Sequence, residues 1–333
     1  QASGSKTGNI DVTTTSGNLM LAAGSAPADV WENSATIGHG GVRANGVADG
    51  NISVDVGGRI DILAGTNRGS SAQIGHGVRE MRGGGNMGDI TVVARGGGIS
   101  LISDDGNLTN GERAYTMIGH GGENTDGAHS GKIVVVAEGD LLLDAGDDNH
   151  THSQIGHGGG DVPENHTGDI VVSVDGDIEL RSGAGGGNRY AAIGHGDGNN
   201  GGSNVHDGSM YIRATGEISL VNNGDDVQIG HFDSFAAGNN LVFLAGGLDN
   251  ATGNSGANTL NITNNEWDPF ESLLSAGGEV SIGALGTSEL VMAASNADYN
   301  STANLNLFSQ RDITFLNGVQ NAGSGDINVL AGW

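Results

Sequence analysis

The chain has 333 residues, of which 63 are Gly, 3 are Pro and only 4% are aromatic. Its 39 Asp and Glu outnumber 13 Lys and Arg, which gives a net charge of −26. A field of that sign repels phosphate backbones, so we expect no nucleic-acid partner. The sequence contains no run of about 18 apolar residues, so we expect no membrane insertion.

The apolar residues are mostly Ala, Val, Ile and Leu. A compact core of this length normally depends on large aromatic side chains, each of which buries about 150–250 Å². Small aliphatic side chains and glycine corners instead suit the narrow interior of a repeat solenoid.

A tetrad, Ile-Gly-His-Gly, recurs through the first two thirds of the chain. It begins at Ile37, Ile74, Ile118, Ile155 and Ile193, and the variant Ile-Gly-His-Phe begins at Ile229. The intervals are 37, 44, 37, 38 and 36 residues. A period of about 40 residues is typical of a stacked repeat architecture.

Each repeat divides into three short segments. In the fifth repeat, 170–174 and 178–181 alternate apolar and polar residues, and the third segment, 191–196, contains the tetrad. Period-2 alternation indicates strands with one buried face. Three such strands predict a triangular coil that pairs with the coils above and below it. Because parallel crossovers are right-handed, we predict an all-β fold, a right-handed parallel β-helix with three short strands per coil.

The chain divides into two regions by this pattern. We assign residues 1–235 to a six-repeat β-helix with tetrads, and residues 236–333 to continuing β-helical coils of a divergent repeat type. Strands are predicted in the second region at 241–244, 259–262, 279–282, 289–292, 304–307 and 313–316. The last residues, 325–333, read as a strand that stops inside a repeat, so we expect a part of a longer protein or a processed product.

Alternation in the third strand places each tetrad histidine on the same face as the tetrad Ile. We therefore predict a buried, structural ladder of six histidines, namely His39, His76, His120, His157, His195 and His231. Neutral imidazoles can bond head to tail along such a ladder. The alternate positions are expected to point outward: Thr36, Gln73, Met117, Gln154, Ala192 and Gln228. His150, His152 and His166 are expected in exposed loops that tolerate substitution.

A row of metal-binding or proton-conducting histidines is the other interpretation of the ladder. A linear row flanked by glycines lacks the converging ligands that a metal site needs, so we expect no metal and no other cofactor. Two oxygen-rich loops, 144–149 and 197–202, are a weaker candidate for calcium. Ordinary turn chemistry is the favoured explanation of both loops.

The Gly-His-Gly triplet also resembles one of four signature motifs of β-helical polysaccharide hydrolases related to polygalacturonase. The family's Asn-Thr-Asp and Asp-Asp motifs have matches at 124–126 and 147–148, ahead of His157 and in the family's order. The Arg-Ile-Lys motif is missing, and its nearest match, Arg59-Ile60-Asp61, precedes the others. Because the repeat itself explains the triplet, this hydrolase remains the alternative and we expect no enzymatic activity.

The Gly-Asn/Asp-Ile-x-Val alternation, the tetrads and the closing Val329-Leu330-Ala331-Gly332-Trp333 resemble filamentous-haemagglutinin-like exoproteins of bacteria, which are adhesins of the two-partner-secretion type. The resemblance covers nearly the whole chain. It implies a secreted or cell-surface protein that an outer-membrane transporter exports. It further implies a structural or adhesive shaft segment of a surface fibre or biofilm matrix.

The implied partners are a host or neighbouring-cell surface, a glycan, or further copies in a self-associated fibre. A glycan-binding adhesin module is therefore a second alternative. Its candidate surface contacts are the aromatic residues Trp31, Tyr115 and Tyr190, which can stack on sugar rings from the variable loops.

Overall fold

The computed structural model describes residues 4–24, 33–103, 113–162, 164–184, 187–197, 204–250, 259–262, 264–295 and 297–332. These residues form a parallel β-helix, in which successive coils stack and pair in parallel register. The predicted all-β solenoid with three strands per coil is therefore confirmed. Its right-handed winding stays a prediction from the crossover rule.

The first face is a single ten-stranded sheet that runs through both regions of the chain. Its strands, in sheet order, are Ile10–Thr14, Ile52–Val56, Ile90–Ala94, Ile133–Ala137, Ile170–Val174, Met210–Ala214, Leu241–Ala245, Val280–Ala284, Leu305–Ser309 and Ile327–Ala331. The coils predicted for residues 236–333 thus extend the same sheet.

The second face is a seven-stranded sheet formed by Leu19–Ala22, Ile60–Leu63, Ile99–Ile102, Leu141–Asp144, Ile178–Arg181, Glu217–Val221 and Gly247–Asn250. The third face is the six-stranded sheet of the tetrads: Ala35–Ile37, Ala72–Ile74, Thr116–Ile118, Ser153–Ile155, Ala191–Ile193 and Val227–Ile229.

Shorter parallel sheets complete the coils. Three strands pair in the C-terminal region, namely Thr259–Ile262, Glu289–Met292 and Ile313–Phe315. Three two-stranded pairs join Lys6–Thr7 to Ala48–Asp49, Val205–His206 to Ser234–Phe235, and Ala297–Tyr299 to Val319–Asn321.

The core follows from in-register stacking of aliphatic side chains. Ile52, Ile90, Ile133 and Ile170 are Cα partners in consecutive first-face strands, and each is at most 1% exposed. Full burial of such a side chain stabilises the fold by roughly 1.5–3 kcal/mol. The alternation in sequence therefore becomes continuous apolar columns along the axis.

The third face has an outer layer that the sequence pattern did not predict. Gln73, Met117, Gln154 and Ala192 are fully buried, so their expected outward exposure was wrong. The loops that follow the tetrads fold back over them, and Val78 from one such loop packs with Met117 and Tyr115. Thr36 and Gln228, in the first and last tetrad coils, are half-buried.

The one helix among the described residues, Asn264–Ser275, was also not predicted. Trp267, Phe270 and Leu274 follow helical i, i+3, i+7 spacing and are buried. Trp267 packs beside Tyr299, with ring centroids 6.0 Å apart, and the chain leaves the helix at Gly277, which has a φ of 84°. No helix in the described part of the chain has the length and apolarity to span a membrane.

Candidate functional site

The predicted histidine ladder exists as a continuous stack of imidazoles. His39, His76, His120, His157, His195 and His231 stack in chain order with ring centroids 4.6–4.9 Å apart and interplanar angles of 4–16°. Five of the rings are buried, and His39, in the first tetrad coil, is half-buried. The geometric part of the ladder prediction therefore agrees with the structure.

The hydrogen bonds differ from a head-to-tail chain of rings. His120 Nε2 lies 2.7 Å from the carbonyl oxygen of Gly88, which comes just before the first strand of the same coil. His120 Nδ1 accepts the backbone N–H of His76 at 3.0 Å. Because the rings are parallel, their nitrogens point at backbone groups and cannot bond to each other. Each imidazole from His76 onward closes its own coil and also joins that coil to the one before it.

These hydrogen bonds fix the tautomer of every ladder histidine that has a stacked ring on both sides. A ring nitrogen that accepts a backbone N–H carries no proton, so Nδ1 is bare and Nε2 carries the hydrogen. The same pair of bonds recurs at His157, where Nε2 lies 2.8 Å from Gly131 O and Nδ1 accepts the N–H of His120 at 3.0 Å. A second proton on Nδ1 would face that N–H, so the ladder fits only neutral imidazole.

In five of the six tetrads, the glycine before the histidine is required by close approach of the coils. A Cβ at Gly119 would lie 1.7 Å from the carbonyl oxygen of Gly156, and one at Gly156 would lie 1.8 Å from that of Gly194. The contacted atoms are backbone, which cannot move aside without breaking the sheet. The Ile-Gly-His-Gly tetrad is therefore a packing requirement of the stack.

Burial lowers the pKa of the ladder histidines. It lowers the pKa of His157 to about 4 and that of His231 to about 3. It lowers the pKa of His120 and His195 well below their ordinary value, helped by repulsion from neighbouring rungs. These shifts favour the same neutral form that the hydrogen bonds require, because the buried rings lack the water that would solvate an imidazolium ion.

A second histidine ladder runs beside the first. His129, His166 and His206 stack with centroids 5.1 and 5.3 Å apart, and all three are buried. The N–H of His129 donates to Nδ1 of His166 at 3.1 Å. Asn86 extends this ladder by one coil, because its N–H donates to His129 Nδ1 and its Oδ1 accepts the N–H of Ala48.

A third stack of rings, called here the third column, combines histidine with tyrosine and phenylalanine and lies in the outer layer of the third face. His152 is sandwiched between Tyr115 and Tyr190, with centroids 4.7 and 4.8 Å away and nearly parallel planes. Phe232 meets Tyr190 edge-on at 5.0 Å. All four side chains are buried.

Two predictions about these residues are therefore wrong. Tyr115 and Tyr190 are 0% and 2% exposed, so they are not surface contacts, because the folded-back loops cover them. His152 and His166 are 2% and 0% exposed and belong to columns rather than to exposed loops. Of the three histidines expected in exposed loops, only His150 is half-buried. Trp31, the remaining predicted surface contact, lies outside the described residues.

A buried ion cluster lies beside the third column. Glu123 is 3% exposed and forms ion pairs with Arg79, at 3.1 Å, and with Arg113. Burial raises the pKa of Glu123, and the two guanidinium groups oppose that rise. Arg113 also lies 3.6 Å from Asp161. The cluster couples the loops of three successive coils.

The residues that resemble hydrolase motifs take part in contacts within the solenoid. His157 has both ring nitrogens bonded to backbone inside the ladder. Asp126 is paired with Arg82 at 2.5 Å, and Asp147 accepts the N–H of Ala184 at 2.8 Å. His157 thus lacks a free nitrogen with which to accept or donate a proton.

Within the described ranges, no group of three His, Asp or Glu side chains has the placement to hold a metal ion. In the loop 144–149, Asp144 accepts the N–H of Gly146 at 3.2 Å and lies 3.7 Å from Arg181. Of the loop 197–202, 198–202 lie outside the described residues, and Asp197 accepts the N–H of Asp161 at 2.8 Å.

The second histidine ladder and the third column could have been recognised from the sequence. His129, His166 and His206 each stand two residues before the glycine that precedes a first-face strand, as Asn86 does. Tyr115, His152 and Tyr190 each stand three residues before a tetrad Ile. Aligning the repeats column by column, rather than on the tetrad alone, would have revealed both.

Comparison with known proteins gives no match to a family model, to a curated protein or to a solved structure.

Proposed function

We propose that this chain is a structural shaft segment of a secreted bacterial surface or matrix fibre and has no catalytic role. The observation that carries the proposal is the uninterrupted ten-stranded parallel sheet, reinforced in the tetrad coils by two histidine ladders that bond successive coils. A rod whose coils are joined by directional bonds resists bending and slippage between coils, which is what a shaft needs.

The other features of the chain support the same role. Its net charge of −26 favours solubility of the exported chain. Partners under this proposal are neighbouring cells, surfaces or further fibre copies, and an outer-membrane transporter brings the chain to the cell surface.

The test uses the complete gene in its source bacterium, with antibodies raised against this chain. Intact cells should be labelled without permeabilisation, and cell aggregation or surface attachment should fall when the repeats carry Gly119→Ala, which breaks the stack. Gly318→Ala is the matched control, because no atom lies within 4 Å of the added Cβ. Labelling only after permeabilisation, or unchanged aggregation in the Gly119→Ala strain, would overturn the proposal.

A further inference from the structure

Asn-Gly pairs are the places where a polypeptide modifies itself most readily without an enzyme. The backbone nitrogen of the glycine attacks the side-chain amide of the asparagine, and a glycine, which has no Cβ, hinders that approach least. The sequence contains five such pairs, at 45–46, 110–111, 200–201, 223–224 and 317–318. The pairs 110–111 and 200–201 lie outside the described residues, so the structure compares the other three.

Two of these three pairs are held by hydrogen bonds at the attacking nitrogen. The N–H of Gly46 donates to a backbone carbonyl at 2.7 Å. The N–H of Gly224 donates to Oδ1 of Asn222 at 2.9 Å, and Nδ2 of Asn223 donates to the carbonyl of Ser182 at 2.9 Å. The nitrogen attacks only after it loses its proton, and a hydrogen bond that this proton makes opposes the loss. The fold therefore protects both pairs.

The pair Asn317-Gly318 is not held in this way. It forms the exposed corner between the strands Ile313–Phe315 and Val319–Asn321. The N–H of Gly318 has no acceptor within the described ranges, and a Cβ added at Gly318 would meet no atom within 4 Å. Nδ2 of Asn317 donates to the carbonyl of Ala293 at 3.2 Å, and an exposed amide can exchange such a bond for water at little cost. The reacting atoms thus have room to approach each other.

We propose that Asn317-Gly318 is a self-modification site, at which the folded chain converts to aspartate and isoaspartate. The deprotonated nitrogen of Gly318 forms a bond to Cγ of Asn317 and the Cγ–Nδ2 bond breaks. Water carries the proton to the leaving nitrogen, which departs as ammonia, and a cyclic succinimide remains. A second water then opens the ring: cleavage of the nitrogen bond to Cγ gives aspartate, and cleavage of the nitrogen bond to the backbone carbonyl carbon gives isoaspartate.

Both products alter the corner. Each loses the Nδ2 donor to Ala293 and places a carboxylate near that carbonyl oxygen. Isoaspartate also inserts a methylene into the main chain, between strands that pair in register with the coil before them, Phe315 with Met292 and Val319 with Ala297. We expect these coils to loosen as the chain ages, whereas the tetrad coils keep their bonds. The proposal does not depend on the fibre role.

The experiment incubates the full chain in mildly alkaline buffer, where backbone amides lose protons faster, and maps its peptides by mass spectrometry over time. Isoaspartate is counted independently with isoaspartyl methyltransferase and a labelled methyl donor. We expect Asn317 to convert ahead of Asn45 and Asn223 in the folded chain. In urea all five pairs should convert at similar rates, because unfolding removes the protecting bonds.

Gly318→Ala is the decisive variant. Its added methyl group meets no atom within 4 Å, so the chain should fold and melt as the wild type does. The methyl group hinders the attack on Cγ and should slow conversion at Asn317 by about tenfold or more. Gly160→Ala, whose Cβ makes ordinary contacts at 3.5 and 3.8 Å, is the matched control and should convert at the wild-type rate.

The proposal fails on any of three results. Intact Asn317 in the folded chain, at a time when the unfolded chain has converted, would show that the corner is protected. Equal conversion of Asn317, Asn45 and Asn223 in the folded chain, or a lead of Asn317 that persists in urea, would show that the bonds at the glycine nitrogens do not select the site. An unchanged rate in Gly318→Ala would exclude the succinimide route.

Discussion

The two regions of the solenoid are held together by different kinds of interaction. All eleven histidines of the chain lie before residue 235, and there the coils are joined by imidazole–backbone bonds of fixed direction. In the later coils, Trp267, Phe270 and Phe243 are buried in the apolar core, with Phe243 and Phe270 centroids 5.7 Å apart. The same first-face sheet therefore continues through coils whose remaining parts are held together in two different ways.

The two kinds of interaction place different requirements on the sequence. A directional bond at each coil requires the same residues at the same positions, which explains the repeated tetrad. Apolar contacts accept variation in shape, which explains why the later coils lose the repeat and still continue the sheet.

Acid should destabilise the histidine-containing coils much more than the later coils, and we expect this to be the largest of the predicted effects. Burial lowers the pKa of nine histidines, namely His76, His120, His129, His152, His157, His166, His195, His206 and His231. The unfolded value is about 6.5, so below that pH the unfolded chain binds more protons than the folded chain. The stability that the ladders contribute is complete above about pH 6.5 and is lost progressively as the pH falls below that value.

Hydrogen exchange of backbone amides, corrected for intrinsic rates, at pH 7 and pH 5 measures this effect. We expect protection to fall along the tetrad coils and to persist in 280–309, which contains no histidine. Equal loss of protection in both regions would show that carboxylates, rather than the ladders, control the acid response.

A substitution at a tetrad glycine should have the next largest effect. Gly119→Ala places a Cβ 1.7 Å from the backbone oxygen of Gly156, and we expect a loss of more than about 4 kcal/mol or failure to fold. Gly318→Ala in the later coils should change the unfolding free energy by less than about 0.5 kcal/mol. Urea melts followed by circular dichroism measure both, and a mild phenotype at Gly119 would mean that the coils can shift apart.

Much of this architecture could be predicted because repetition makes one side-chain position visible many times. The six tetrads predicted the parallel stack, and alternation predicted that His120 and His157 point inward. Alternation failed for Gln73 and Met117, since it describes one sheet and contains no information about loops that fold over it. The helix Asn264–Ser275 was missed because it occurs once, so no second copy marked its pattern.

Removal of a single ladder histidine should lower the unfolding free energy less than the glycine substitution does. His120→Ala leaves the N–H of His76 and the carbonyl of Gly88 without partners and opens a gap in the stack. We expect a loss of roughly 1–3 kcal/mol. His166→Ala should fall in the same range, whereas His150→Ala, at a half-buried loop position, should be nearly neutral. Equal stability of the His120→Ala and His150→Ala variants in urea melts would show that the ladder does not stabilise the fold.

The smallest predicted effect distinguishes hydrogen bonding from ring stacking in the second ladder. Asn86 already occupies a rung there, and its Oδ1 accepts a backbone N–H at 3.3 Å as the histidine Nδ1 atoms do. His129→Asn should therefore keep the bond to the N–H of Asn86 and lose the stacking on His166 and the hydrogen bond between Nε2 and Thr125 Oγ1, whereas His129→Ala loses all three. We expect His129→Asn to recover about 1 kcal/mol of the unfolding free energy that His129→Ala loses, the net value of one hydrogen bond. Paired urea melts at pH 7.5, where the buried His129 and His166 are neutral, measure the difference. Equal stability of the two variants would mean that ring stacking, rather than the bond to Nδ1, sets the register of these coils.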